Sequence, residues 1–122
     1  MKTVAVVGAS NHRDKFGNKA LRAFRDAGHT VIPINPHESE VEGIKAFRSV
    51  LDVPGRIDMA TVYVQPDVVH GLLEEFQRKQ IPEIWLNPGA DTDEVLNEAR
   101  RRKLNVIAAC SIIGVGRSPS EY

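Results

Sequence analysis

Short apolar runs alternate with amphipathic stretches along the whole chain. Thr3-Val4-Ala5-Val6-Val7 is β-branched and apolar at successive positions, the pattern of a strand covered on both faces. Gly8-Ala9-Ser10 stops it, and a polar, charged stretch runs from Asn11 to Gly17. From Asn18 to Ala27 the period becomes helical. Ala20, Leu21, Phe24 and Ala27 form one apolar stripe, and Gly28 is placed as the C-terminal stop. Thr30–Ile34 repeats the buried-strand pattern and ends at Asn35-Pro36. Between His37 and Pro54 the pattern is weakest: Gly43 to Phe47 fits a short edge strand and Ser49 to Val53 a single helical turn. Asp58–Val64 is a clear strand ended by Gln65-Pro66, and Pro66 suits a first helical turn, where its missing N–H costs nothing. Val69, Leu72, Leu73 and Phe76 then recur at i, i+3, i+4 and i+7. Glu83–Leu86 is the next strand, closed by Asn87-Pro88-Gly89. Asp91 and Glu94 are expected to form a capping box for a helix whose end carries Arg100, Arg101, Arg102 and Lys103, favourable at the negative end of its dipole. Asn105–Ala109 is the last expected strand, and 111–122 is expected to be an irregular C-terminal tail.

Strand and helix alternate throughout, with helical crossovers about a dozen residues long, as right-handed βαβ units require. The pattern predicts an α/β fold: a three-layer, Rossmann-like, doubly wound parallel sheet of five to six strands in a single domain spanning 1–122. A chain of 122 residues buries one real core and is too short for two.

Composition removes several classes of function. Sixteen basic residues balance sixteen acidic ones, so no net field recruits nucleic acid or an anionic membrane. No apolar run approaches the roughly 20 residues of a membrane-spanning helix, and the start, Met1-Lys2-Thr3, runs straight into a strand rather than a signal peptide. A single cysteine, Cys110, excludes an internal disulfide framework and suits a reducing compartment, so a cytoplasmic location is expected.

Ligands of such sheets bind beyond the carboxyl ends of the strands, where the strand order reverses. The first strand ends in Gly8-Ala9-Ser10 and a loop to Gly17, where small residues let backbone N–H groups approach a phosphate at a helix start. His12, Arg13 and Lys15 bring cationic side chains to that loop, and Ser10 a hydroxyl. The spacing is neither G-x-G-x-x-G nor a P-loop, and taken alone the turn also fits a plain connection with solvated charges. Three further strands end in Asn35-Pro36, Gln65-Pro66 and Asn87-Pro88. Proline cannot extend a strand, and each amide is able to bond a base or ribose. Any one pair is a strand stop; three on one edge point to a ligand. The second strand ends without the acid that holds the NAD ribose, the first acid being Glu38, which disfavours NAD.

Three runs resemble the stand-alone CoA-binding domain proteins: Val4-Ala5-Val6-Val7-Gly8-Ala9-Ser10, Gly28-His29-Thr30-Val31-Ile32-Pro33-Ile34-Asn35-Pro36 and Asp58-Met59-Ala60-Thr61-Val62-Tyr63-Val64-Gln65-Pro66. Asp52-Val53-Pro54 and Ile84-Trp85-Leu86-Asn87-Pro88-Gly89 fit the same family, and the match runs from about Lys2 to Cys110. These proteins are similar to the N-terminal CoA-binding domain of the succinyl-CoA synthetase α-subunit. The resemblance implies coenzyme A or acyl-CoA along the strand ends. Its phosphates would meet Gly8, Ala9, Ser10 and the Arg13/Lys15 loop. The nucleotide end would lie near Asn35, Pro36 and His37, and the pantetheine arm near Val64, Gln65, Pro66, Asn87 and Pro88. Gly17 and Val69 complete the candidate ligand set. The family often carries lysine where this chain has His37, and a neutral imidazole holds phosphate less firmly than an ammonium.

No catalytic constellation is evident. His12, His29, His37 and His70 are scattered, without metal-ligand spacing or a nucleophile–base pair, and His29 is expected to close the turn before the second strand. Glu74-Glu75, Asp91, Asp93 and Glu94 read as helix-face and capping carboxylates. Cys110 is expected to pack as a small hydrophobe; the sharper alternative is a mixed disulfide with the CoA thiol. The sequence therefore predicts a CoA or acyl-CoA binding module without turnover of its own, a carrier, sensor or regulatory subunit. An NAD(P)-dependent oxidoreductase on the same sheet, and a subunit of an acyl-CoA ligase whose catalytic histidine sits on a partner, are the alternatives. Open sheet edges make a homodimer or another protein partner the expectation from size alone.

Overall fold

The computed structural model describes residues Met1 to Tyr122. In chain order its strands are β1 (Thr3–Val7), β2 (Thr30–Ile34), β3 (Glu40–Val41), β4 (Ile44–Lys45), β5 (Met59–Val62), β6 (Ile84–Leu86) and β7 (Val106–Ala108). Five of them form a parallel central sheet in the order β2-β1-β5-β6-β7, so the chain steps one way from β1 to β2 and the other way from β2 to β5. The reversal places the crevice of the fold between the ends of β1 and β5.

Alternation along each strand divides the core. Ala5 and Val7, Ala60 and Val62, Ile84 and Leu86 face α2 (Pro66–Lys79) and α3 (Asp93–Arg101). Val4, Val6 and Met59 face α1 (Phe16–Asp26) on the other side, against Leu21 and Phe24. Burying each of these larger side chains is worth about 1.5–3 kcal/mol, and a one-residue slip of β1 would exchange Val4 and Val6 for Ala5 and Val7 between the two covered faces, mispacking both halves of the core. Pro33 sits inside β2 opposite Val6, which a parallel sheet tolerates because β2 is an edge strand. The outer side of that edge is covered by Phe47, whose N–H donates to Pro33 O at 3.0 Å and whose carbonyl accepts from Asn35 N at 2.9 Å.

The structure corrects four local expectations. Helix α1 begins at Phe16 rather than Asn18, which puts Gly17 inside its first turn. The single edge strand over Gly43–Phe47 is instead a small antiparallel hairpin of β3 with β4, its tip turned by left-handed Glu42 and Gly43. The cap of α3 is Thr92, whose hydroxyl accepts from Val95 N at 3.3 Å, while Asp91 bonds Gly89 N. The segment expected to be irregular is ordered: α4 (Ser111–Gly114) buries Ile112 beneath α1, and a 3₁₀ turn at Pro119–Glu121 is closed by a Ser118–Glu121 capping box. Tyr122 then lies against the Arg22 guanidinium, 5.4 Å from ring centroid to Cζ. The turn expected at Ser49–Val53 is present as a 3₁₀ helix, Val50–Asp52, capped by Ser49. His29 does close the turn before β2, its Nδ1 accepting from Lys2 N at 3.0 Å.

Candidate functional site

At the crevice, the backbone of the β1–α1 connection is drawn tight by two glycines. Gly8 adopts φ +91°, and a Cβ there would lie 2.9 Å from Tyr63 O. A Cβ on Gly17 would lie 2.1 Å from Gly8 O, so only glycine lets α1 start this close to the end of β1. The N–H groups of Ala9, Ser10, Phe16 and Gly17 have no acceptor within the chain. Those of Phe16 and Gly17 open α1, where the aligned backbone dipoles favour an anion.

Buried polar side chains hold this connection in shape. Asn18 is fully buried on α1; its Nδ2 donates to Ser10 O at 2.8 Å and to Glu42 Oε2 at 3.0 Å. Arg22 donates to Asn18 Oδ1 at 2.6 Å and to Arg13 O at 3.0 Å. From the loop itself, Asn11 donates to Glu38 and to Glu40 O, and accepts from Glu42 N at 3.1 Å. The β3–β4 hairpin is thereby fastened to the loop. The Asn18 amide, and then the charges of Arg13, Arg22 and Arg25, hold the Glu42 carboxyl below its ordinary range against the opposing effect of burial.

Two cavities with lining residues in common open here. The first is a cleft of about 470 Å³ between the β1–α1 loop and the ends of β5 and β6. It is lined by Gly8, Ala9, Ser10, Lys15 and Gly17 on one side and by Asn35, Val64, Gln65 and Pro88 on the others. Lys15 makes no ion pair, so its ammonium is available to an anion in the cleft. The second cavity is a slot of about 200 Å³ that shares Gly8 and Val64 with the cleft. Its walls are mainly apolar, from Ile34, Pro36, Val68, Leu72 and Phe76, with Arg48, Ser49 and Glu75 adding polar groups. The cleft is open and polar, within the size range of cofactor pockets, and the slot beside it is mainly apolar.

Of the sequence candidates, Gly8, Ala9, Ser10, Lys15, Gly17, Asn35, Val64, Gln65 and Pro88 are brought together in the cleft, and Pro36 lines the slot. Arg13 does not line the cleft; its guanidinium lies 3.9 Å from Glu42. His37 is exposed and lines neither cavity. Pro66 borders a separate depression between the starts of α2 and α3, and Val69 is fully buried in the core because its place in the i, i+3, i+4 stripe turns it to the sheet. The strand-end amides also divide. Asn35 bonds Ala9 O with its Nδ2 and the N–H groups of His37 and Glu38 with its Oδ1. Asn87, buried, donates to Thr61 Oγ1 at 2.8 Å and Val62 O at 3.1 Å, and accepts from Ser111 N at 2.8 Å. Both shape the loops, and only the Gln65 amide has no bond within the chain.

Tyr63 is the cleft residue that pattern reading missed, together with Phe16, Gly89 and Ala90. Its hydroxyl is 3.0 Å from Ser111 Oγ, which is 2.6 Å from Thr61 Oγ1. Burial pushes the phenol up to about 12, so it remains a neutral O–H. Its signal was its position at the end of an apolar strand beside Gln65-Pro66. No cluster of three or more His, Cys, Asp or Glu side chains is placed to hold a metal ion. Cys110 is half-buried, packs on the α1-side core and lines neither cavity. No helix is long and apolar enough to cross a membrane.

The sequence model of the CoA binding domain family matches residues 2–115. The chain is 32% identical over 106 residues to the uncharacterized protein YneT of Bacillus subtilis, covering 87% of this chain and 78% of that one. It is 40% identical over 80 residues to an ADP-forming acetate–CoA ligase of Methanocaldococcus jannaschii; the match covers 66% of this chain and only 11% of the ligase. Among solved structures, a conserved hypothetical protein from Pyrococcus furiosus superposes with a TM-score of 0.86 at 28% identity, over 93% of this chain and 99% of that one.

Proposed function

The chain belongs to the CoA binding domain family, and from that premise we propose that it is a CoA or acyl-CoA binding module without turnover of its own, acting as a carrier, sensor or regulatory subunit. The observation that carries this reading is the pair of cavities at the β1/β5 crevice, which have Gly8 and Val64 in common. The open cleft offers unpaired N–H groups at the start of α1 and the Lys15 ammonium to a diphosphate. The slot between Pro36 and Leu72 has the apolar walls an adenine ring needs. The pantetheine arm then runs along Val64, Gln65 and Pro88. No acid lines either cavity at the end of β2, and Glu38 is occupied by Asn11, which speaks against a nicotinamide dinucleotide held through its ribose.

The absence of turnover rests on the side chains around the cleft: a neutral phenol, two amides, a lysine and the Ser10 hydroxyl, whose one bond in the chain is from His12 N and not to a base. The similarity to part of a much longer ADP-forming ligase favours one further reading, a CoA-binding subunit whose chemistry is supplied by a partner. Stoichiometric co-purification of a ligase partner from the native source distinguishes it from an independent carrier.

Thermal unfolding with CoA, acetyl-CoA, dephospho-CoA, NAD and NADP side by side tests the proposal. A ligand at one hundred times its dissociation constant adds about 2.7 kcal/mol to the folded state. A shift with the CoA species that weakens in Lys15→Ala is the expected result. The absence of a shift with any CoA species overturns it.

A further inference from the structure

Arg48 is the one charged side chain at the slot without a partner: it makes no ion pair and no hydrogen bond, and its side chain is exposed at the slot's rim. Its backbone is nevertheless held firmly. On one side Phe47 is bonded through both N–H and C=O to the edge of β2. On the other, Ser49 caps the 3₁₀ turn, accepting from Leu51 N at 3.1 Å. The carboxylate that shares the slot, Glu75, accepts a hydrogen bond from the Ser49 hydroxyl and lies beyond ion-pairing distance of Arg48. An exposed guanidinium held between two anchored neighbours, at the mouth of an apolar slot, is placed to meet an anion on whatever occupies that slot.

We propose that Arg48 is a specificity-determining residue that binds the 3′-phosphate of an adenosine 3′-phosphate-5′-diphosphate ligand, so that the site selects CoA over dephospho-CoA. The inference rests on the CoA reading above and assigns a group that reading leaves without a partner. The chemistry of the two cavities matches a ligand with anions at two places. Lys15 and the start of α1 serve the 5′-diphosphate in the cleft, and adenine fills the slot. In that arrangement the ribose spans the residues that line both cavities, Gly8 and Val64, and its 3′-phosphate is assigned to Arg48, which lines the slot. The nearby imidazole of His37 lines neither cavity. A planar guanidinium bonds two phosphate oxygens at once, which an ammonium does not.

Isothermal titration of the wild-type protein and of Arg48→Gln and Arg48→Lys with CoA and with dephospho-CoA tests this. Wild type is expected to bind CoA roughly tenfold more tightly, a step equal to one decade of affinity. That preference should shrink as salt is raised. Arg48→Gln should lower CoA affinity to the dephospho-CoA value while leaving dephospho-CoA unchanged, with Arg48→Lys between. If wild type binds the two ligands equally, or if Arg48→Gln keeps the preference, the assignment of Arg48 is overturned while the CoA reading stands. If neither ligand binds wild type, the CoA reading fails and the role of Arg48 fails with it.

Discussion

Replacing Gly17 by alanine sets two effects of opposite sign against each other. Helix propensity alone favours alanine by about 1 kcal/mol at an interior position, and by less in a first turn. The tertiary contact opposes it. The added Cβ would sit 2.1 Å from Gly8 O and 3.0 Å from Gly8 C, whereas ordinary contacts begin near 3.4 Å. Both partners are backbone, so no side chain can swing aside; the start of α1 has to retreat from β1 by roughly 1 Å or more. Overpacking of this kind costs about 1–3 kcal/mol, and here it also loosens Ala20, Leu21 and Phe24 from the sheet. The expected net loss is about 2 kcal/mol, or roughly 6–10 °C in Tm for a domain of this size. Gly71, in the middle of α2, is the control, because a Cβ added there would meet nothing within 4 Å. Gly71→Ala should gain about 0.5–1 kcal/mol. Urea unfolding of the three proteins, compared at a common m-value, reads both changes. A Gly17→Ala midpoint at or above wild type would refute the close-approach argument.

Three other outcomes follow from the same structure. Asn87→Ala leaves the buried Ser111 N–H without an acceptor and should cost about 2–3 kcal/mol in chemical unfolding, whereas Gln65→Ala, at an amide with no bond in the chain, should stay within about 0.5 kcal/mol. Equal losses would contradict the division between these amides. Glu42 has a depressed folded-state value, so its contribution is complete above the ordinary value of 4.5 and is lost as pH falls through the depressed one. Glu42→Gln should therefore flatten the acid limb of the stability–pH profile, and an unchanged limb would count against the Asn18–Glu42 contact. Thr92→Ala should cost about 1 kcal/mol by thermal unfolding, more than Asp91→Ala, because Thr92 is the cap; the reverse order would restore Asp91 to that role.

The alternation of buried strands and amphipathic helices was legible in the sequence because each element repeats one period. Val4 to Val7, and Val69, Leu73 and Phe76, declare their buried faces without reference to the rest of the chain. The glycine-led loop and the strand-ending prolines were legible for the same reason, since their backbone chemistry is local. The sequence by itself therefore determined the fold class, and the sheet edge and glycine-led loop at which the cleft opens. Other features depend on partners distant in sequence. Asn35 and Asn87 look like ligand amides until Ala9 O and Ser111 N are seen to claim them. Arg13 looks like a phosphate cation until the hairpin brings Glu42 to it, and the last twelve residues look irregular until Ile112 finds the underside of α1. Only the tertiary structure decided which strand-end side chains line the cleft and which hold the loops. A hydrogen bond between residues 24 or 26 positions apart leaves no period in the sequence, and burial makes satisfying it compulsory.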